Sequence, residues 1–234
     1  MFETLINSPV LWITMTVGLY LLGDFLKQKW PNPFFNPLFF GTLALILILL
    51  IFDIPIETYD AGGQVVSLFI TPATVALAIK LDENFDYLKD HYLSILTGIV
   101  LGVLFHTATI YILGLLFRFQ PDIVATLIPK SITTAIAVGV SESLGGIVPL
   151  TVAVVVFTGI FGATFGKEIL KLAGITDPLA QGVALGAASH AMGTARAIEL
   201  GDLQGAMSAL TIVVTGITVV ALAPLTIPIT NLLF

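Results

Sequence analysis

The chain is 234 residues long, 57% hydrophobic and 10% charged, with a formal net charge of -6 and a mean hydropathy of +1.04, whereas a soluble domain carries about 25% charged residues. These values exclude an ordinary soluble globule and predict an integral membrane protein. Its 9 Lys and Arg form no basic stripe, which argues against nucleic-acid binding, and the absence of cysteine removes disulfides, thiolate chemistry and cysteine-ligated metals.

Crossing a bilayer takes about 20 apolar residues, and about eight apolar runs use most of the sequence. Met1-Phe2-Glu3-Thr4 carries no positive charge and precedes no small-residue cleavage site, so the first run, about 8–26, is expected to be a mature membrane segment. It ends at Lys27, Lys29 and Trp30, a basic and aromatic combination typical of an interface. Pro31, Pro33 and Pro37 cannot continue a helix; Asn36 either coordinates an ion or, the simpler use, caps a second helix over about 37–52. An acidic connection with Pro55 and Gly62-Gly63 leads to a third run, about 64–81, interrupted by Thr71-Pro72-Ala73-Thr74. A polar connection, 82–91, precedes the fourth run, about 92–117.

The fifth run, about 122–141, is broken by Pro129-Lys130-Ser131 and ends at Ser141-Glu142-Ser143-Leu144-Gly145-Gly146. The sixth, about 147–165, is strongly apolar. Asp177-Pro178 reads as an N-cap followed by a first-turn proline, opening a seventh run that contains Ser189-His190-Ala191-Met192-Gly193-Thr194-Ala195-Arg196; the eighth covers about 206–233.

Shifting the chain by 119 residues lays Ala76-Leu77-Ala78-Ile79-Lys80-Leu81 on Ala195-Arg196-Ala197-Ile198-Glu199-Leu200, with four of six positions identical, and lays Thr71-Pro72 on His190-Ala191. All six lysines flanking the runs share the cytoplasmic side if the element broken at Pro129 does not cross singly. That parity makes the third and seventh elements antiparallel, the inverted arrangement common in secondary transporters. The expectation is an all-α polytopic membrane protein, one transmembrane domain over 1–234, with inverted repeats over about 1–118 and 122–234 and broken or re-entrant helices near the midplane.

Lys130 is the sharpest candidate residue, because an intramembrane charge costs at least about 2.5–3.5 kcal/mol on insertion scales. Two uses are open: snorkelling from a short run, or holding an anion together with Ser131, Thr133 and Thr134 and nearby helix N-termini. His190 and Arg196 likewise have two uses. Ser189, Gly193 and Thr194 around them can serve close helix packing with the imidazole bonded to a neighbouring carbonyl. Alternatively they can serve a site in which Arg196 or Lys130 holds a carboxylate and His190 exchanges a proton. Thr71 and Thr74 join the binding set through the repeat. Glu142 either carries a proton and neutralises Lys130 or is a plain helix-end carboxylate. No metal site, cofactor motif or hydrolase constellation is present, and no enzymatic activity is expected.

The motifs Pro129-Lys130-Ser131-Ile132-Thr133-Thr134, Ser141-Glu142-Ser143-Leu144-Gly145-Gly146-Ile147 and 188–201, with Thr71-Pro72-Ala73-Thr74-Val75-Ala76-Leu77-Ala78, are long, polar and set in apolar sequence. Through them the chain resembles the LrgB/CidB family over nearly its whole length. The resemblance implies a multi-pass protein of the bacterial cytoplasmic (inner) membrane. It implies an antiholin-like role beside a small holin-like LrgA partner, modulating murein hydrolase activity and autolysis. The plant plastid relative, in which both halves are fused, is a glycolate/glycerate translocator, and bacterial members are linked to pyruvate uptake. Costly intramembrane cations suit the transport of a small monocarboxylate of the glycolate, glycerate, pyruvate or lactate class, by proton coupling or exchange. The alternative is an antiholin-like regulator of a holin-like membrane partner. The expected partners are a small carboxylate, an LrgA-like membrane protein, the lipid bilayer and a further copy of the chain in a homo-oligomer, with no nucleic acid.

Overall fold

The computed structural model describes residues 6–30, 32–83 and 85–234 and, among these, the side chains of all but Pro33, Thr74, Leu77, Lys80, Leu81, Tyr87 and Leu88. The described backbone contains helices and turns and no strand, and the chain is an all-α membrane protein. It divides into two compact units, Met1–Leu77 and Ala78–Phe234.

In the first unit α1, Pro9–Lys29, opens on a proline in its first turn and closes with Lys27 and Lys29 in its last, where the helix dipole favours cations. Lys29 Nζ lies 4.8 Å from the Trp30 ring centroid. After a 3-10 turn, Pro33–Phe35, Asn36 caps α2, Pro37–Ile51, its Oδ1 accepting the Leu38 and Phe39 amides at 3.0 and 3.3 Å. The structure corrects the next stretch: the acidic segment read as a connection is helix α3, Ile56–Ser67. The packing of α1 leaves room only for glycine at position 62; a Cβ there would lie 2.6 Å from Cβ of Trp12. Trp12 is buried, donates Nε1–H to the Ile6 carbonyl at 2.7 Å and meets Tyr59 edge-on.

The break beyond α3 falls at Leu68-Phe69, and α4, Ile70–Glu83, carries Pro72 in its first turn. There a missing N–H interrupts no intrahelical bond, so Pro72 starts a helix where the sequence suggested that it would break one.

The second unit begins within α4. Its helix α5, Phe85–Phe117, takes up most of the segment expected as a polar connection and, at 33 residues, is about 50 Å long. Then come α6, Pro121–Leu127, α7, Thr134–Leu144, and α8, Val148–Leu172. Asp177 caps α9, Pro178–Leu200, through the Ala180 amide at 2.8 Å. The chain ends in α10, Asp202–Leu233. Helix α9 packs on α8 and α10, and α10 packs on α5 and α7. Close approach of α9 and α10 needs glycine: a Cβ at Gly182 or Gly186 would sit 2.5 or 2.6 Å from the carbonyl oxygens of Gln204 and Ser208.

Among the described residues four helices are long and apolar enough to cross a membrane: α1, residues Lys89–Phe117 of α5, α8 and α10, while α2 and α7 are shorter apolar helices. The elements run α1, α2, the broken pair α3/α4 and long α5, then the broken pair α6/α7, α8, the interrupted α9 and long α10, so the two series share their last three steps and differ in the first. Under the 119-residue shift, Leu68-Phe69 falls at 187–188, beside the break in α9, and Phe85 falls at 204, near the start of α10. The compact units nevertheless part at Leu77 and Ala78 rather than between 118 and 122, because α5 shares its packing with α9 and α10.

Candidate functional site

The segment between α6 and α7 turns rather than continues as a helix. Pro129 has no amide hydrogen to donate, Lys130 N–H returns to the Leu127 carbonyl at 3.1 Å, and Ile132 N–H to that of Pro129 at 3.3 Å. Buried hydroxyls hold the two short helices around this turn. Thr126 Oγ1 donates to the Asp122 carbonyl at 2.6 Å and accepts the Ile147 amide at 2.8 Å, while Thr151 Oγ1 lies 2.7 Å from Ser141 Oγ. Gly145, at φ 77°, ends α7 in the left-handed conformation that glycine adopts without strain.

Lys130 is half-buried and its ammonium donates to Ser131 Oγ at 3.3 Å; among the described residues it forms no ion pair. Both side chains line a cavity of about 600 Å3 within the second unit. Its other walls come from α5, the first half of α9 and α10, largely small or apolar residues such as Gly98, Gly102, Ala187 and Ala188. A cation with spare donors in a largely apolar, half-open cavity suits a small carboxylate, which accepts charge-assisted hydrogen bonds.

His106 and Thr215, which the sequence reading did not single out, also line this cavity. His106 Nε2 and Thr215 Oγ1 are two of the three buried side-chain polar atoms that have no hydrogen-bond partner among the described residues. The signal for His106 was present in its place within an apolar membrane run. Nothing in the sequence separates Thr215 from its neighbouring threonines.

The break in α9 is different. Ser189 and His190 leave helical geometry, and His190 takes φ 43° and ψ -135°, a region glycine favours and other residues enter at a cost of about 1–3 kcal/mol. His190 Nε2 lies 3.0 Å from the Val155 carbonyl; since that oxygen only accepts, Nε2 carries the ring proton. Ser189 is pressed onto α8 at Gly162, where a Cβ would lie 1.7 Å from Ser189 Oγ, and Gly193 lies against the Leu185 carbonyl. Thr194 Oγ1 lies 3.1 Å from the His190 carbonyl and 2.7 Å from Ser208 Oγ. Arg196 is buried and bonded to Glu199, with Glu168 at 3.9 Å. Apart from Arg196 Nε, which is buried with no hydrogen-bond partner among the described residues, these five residues are thus engaged by the protein itself, and the cavity lining runs through Ala187 and Ala188.

Thr133 and Thr134 open α7 next to the Lys130 turn without joining that lining. Glu142 is exposed near the end of α7 and forms no ion pair with Lys130 among the described residues. Thr71 is exposed on α4 in the first unit, and the side chain of Thr74 lies outside the described residues. Among the described residues no group of three or more His, Asp or Glu could hold a metal ion.

Residues 16–229 match the LrgB-like family. The chain is 34% identical over 227 residues to the holin-like protein CidB of Staphylococcus aureus (strain N315), covering 97% of each chain. The corresponding protein of Staphylococcus epidermidis (strain ATCC 12228 / FDA PCI 1200) is 32% identical over the same length. The antiholin-like protein LrgB of Bacillus mycoides (strain KBAB4) is 34% identical over 211 residues, 90% of this chain and 92% of that one. No solved structure matches the chain.

Proposed function

The chain belongs to the LrgB-like family, and we propose that it acts as its relatives' names describe, as a non-enzymatic holin-like or antiholin-like protein. In this reading it works with a small holin-like membrane partner of the LrgA kind in the bacterial cytoplasmic membrane and modulates murein hydrolase activity and autolysis. The observation that carries the reading is that likeness to both holin-like and antiholin-like proteins runs almost the full length of the chain. It is tested by deleting the gene in its host and following lysis rate and murein hydrolase activity, with complementation by the chain alone and together with its partner. Altered lysis that only complementation reverses is the expected result; lysis indifferent to the chain overturns it.

A specific observation favours a second reading, the transport of a small monocarboxylate of the glycolate, glycerate, pyruvate or lactate class, by proton coupling or exchange. Lys130 without a carboxylate partner among the described residues, in a cavity of about 600 Å3, supports it. The inverted repeats expected from the sequence would suit alternating access. The readings are compatible, because moving a weak acid changes the pH and metabolite balance on which autolysis depends. Uptake of labelled glycolate and pyruvate into proteoliposomes, with and without the partner, tests the second. Flux that falls on Lys130→Ala in a folded protein supports it, and no flux under a pH gradient in either preparation removes it.

A further inference from the structure

The α5 wall of the cavity has an unusual make-up. Ser94, Gly98, Gly102 and His106 follow one another at four-residue steps, so they share one face of the helix, and all four line the cavity. Helical glycine costs stability relative to alanine, and on α8 packing accounts for it: a Cβ at Gly159, Gly162 or Gly166 would collide with His190, Ser189 or Leu185. At Gly98 and Gly102, as at Gly139 on α7, a Cβ would meet no atom within 4 Å among the described residues. Helix packing therefore does not explain them, and unlike Gly139 both stand on the cavity wall.

Thr215 stands out in a similar way. Thr211, Thr218, Thr226 and Thr230 on the same helix each donate a hydroxyl to a carbonyl three or four residues back. Thr215 does not, although it is only 1% exposed, and His106 Nε2 is equally without a partner. A hydroxyl and an imidazole nitrogen can each donate or accept, so together they can hold either a hydroxyl or a carbonyl oxygen.

We propose that His106 and Thr215 are the specificity residues of the Lys130 site, binding the second oxygen function of a short carboxylic acid, while Gly98 and Gly102 make the space for it. The proposal rests on the carboxylate reading of that cavity. Lys130 accounts for the negative charge, which every such acid shares. The orphan pair accounts for preference among acids of equal charge.

Glycolate and acetate separate these roles, since they differ by one hydroxyl. With the purified full-length chain, together with its partner if uptake requires it, we expect wild-type protein to prefer glycolate in both uptake and thermal protection. Thr215→Val and His106→Leu should each lower the glycolate-to-acetate ratio by about tenfold, the size of one lost hydrogen bond, and His106→Gln should restore part of it. Gly98→Ala and Gly102→Ala should melt no lower than wild type and should disfavour the bulkier glycerate relative to glycolate. If wild-type protein responds to neither acid, the carboxylate reading falls and this inference falls with it. If glycolate and acetate are handled but every His106 and Thr215 variant keeps the wild-type ratio, this inference alone is overturned.

Discussion

At Lys130 and at His190 the chain places polar side chains where a membrane helix is interrupted, and each site lies beside helical glycines. Against α8 those glycines make room for α9: Ser189 fills the space at Gly162, and His190 passes over Gly159 to reach the Val155 carbonyl. Against α5 the space at Gly98 and Gly102 is taken by no protein atom within 4 Å, and the cation nearby has only a serine hydroxyl for a partner. Polarity at a break therefore does not by itself mark a binding site. What marks one is polar capacity that the protein leaves unused.

Breaking the filled side gives the largest expected effect. Gly162→Ala forces a methyl into Ser189 and should cost about 3 kcal/mol, read as a lower Tm in detergent, and Ser189→Gly in the same chain should recover most of it. On the open side, Lys130→Met should weaken small-carboxylate binding by about tenfold or more with no loss of Tm, as titration calorimetry and melting would show together. A lower Tm with unchanged binding would instead make Lys130 a structural cation. His190→Ala should cost about 1–2 kcal/mol through the lost bond to Val155 and leave the pH profile of uptake in place; a displaced profile would return His190 to the transport mechanism. Glu168→Gln should matter least, within about 0.5 kcal/mol, because its carboxylate is 47% exposed and 3.9 Å from Arg196.

Much of the fold is legible in the sequence. Proline and apolar run length locate α1, α2, α8 and α10, and Asn36, Asp177 and Gly145 do the capping their types favour. The Pro129-Lys130 break and the hydroxyls of α6 to α8 follow from residue type as well. Misread was the stretch around Gly62, where polarity and two glycines suggest a connection; Gly62 instead serves close packing of a helix on Trp12, a contact that the sequence does not display. His190 and Arg196 share the types of a substrate site, and their use for packing depends on Val155, Glu199 and Glu168, none of which periodicity can assign to them. Thr215 and His106 were missed for the converse reason, since lacking a partner is a property of three-dimensional surroundings.

Helix α10 carries five threonines between Thr211 and Thr230 and still has the hydropathy of a membrane span. Four of them arrive with an acceptor supplied by their own helix, so their partition from water into lipid needs no neighbour, and an insertion machinery meets a segment more oily than its letters suggest. Thr215 is the exception: on insertion its hydroxyl can use its own helix as the others do, but in the folded chain it has no partner among the described residues, so folding withdraws an acceptor that only something polar brought to the helix can replace.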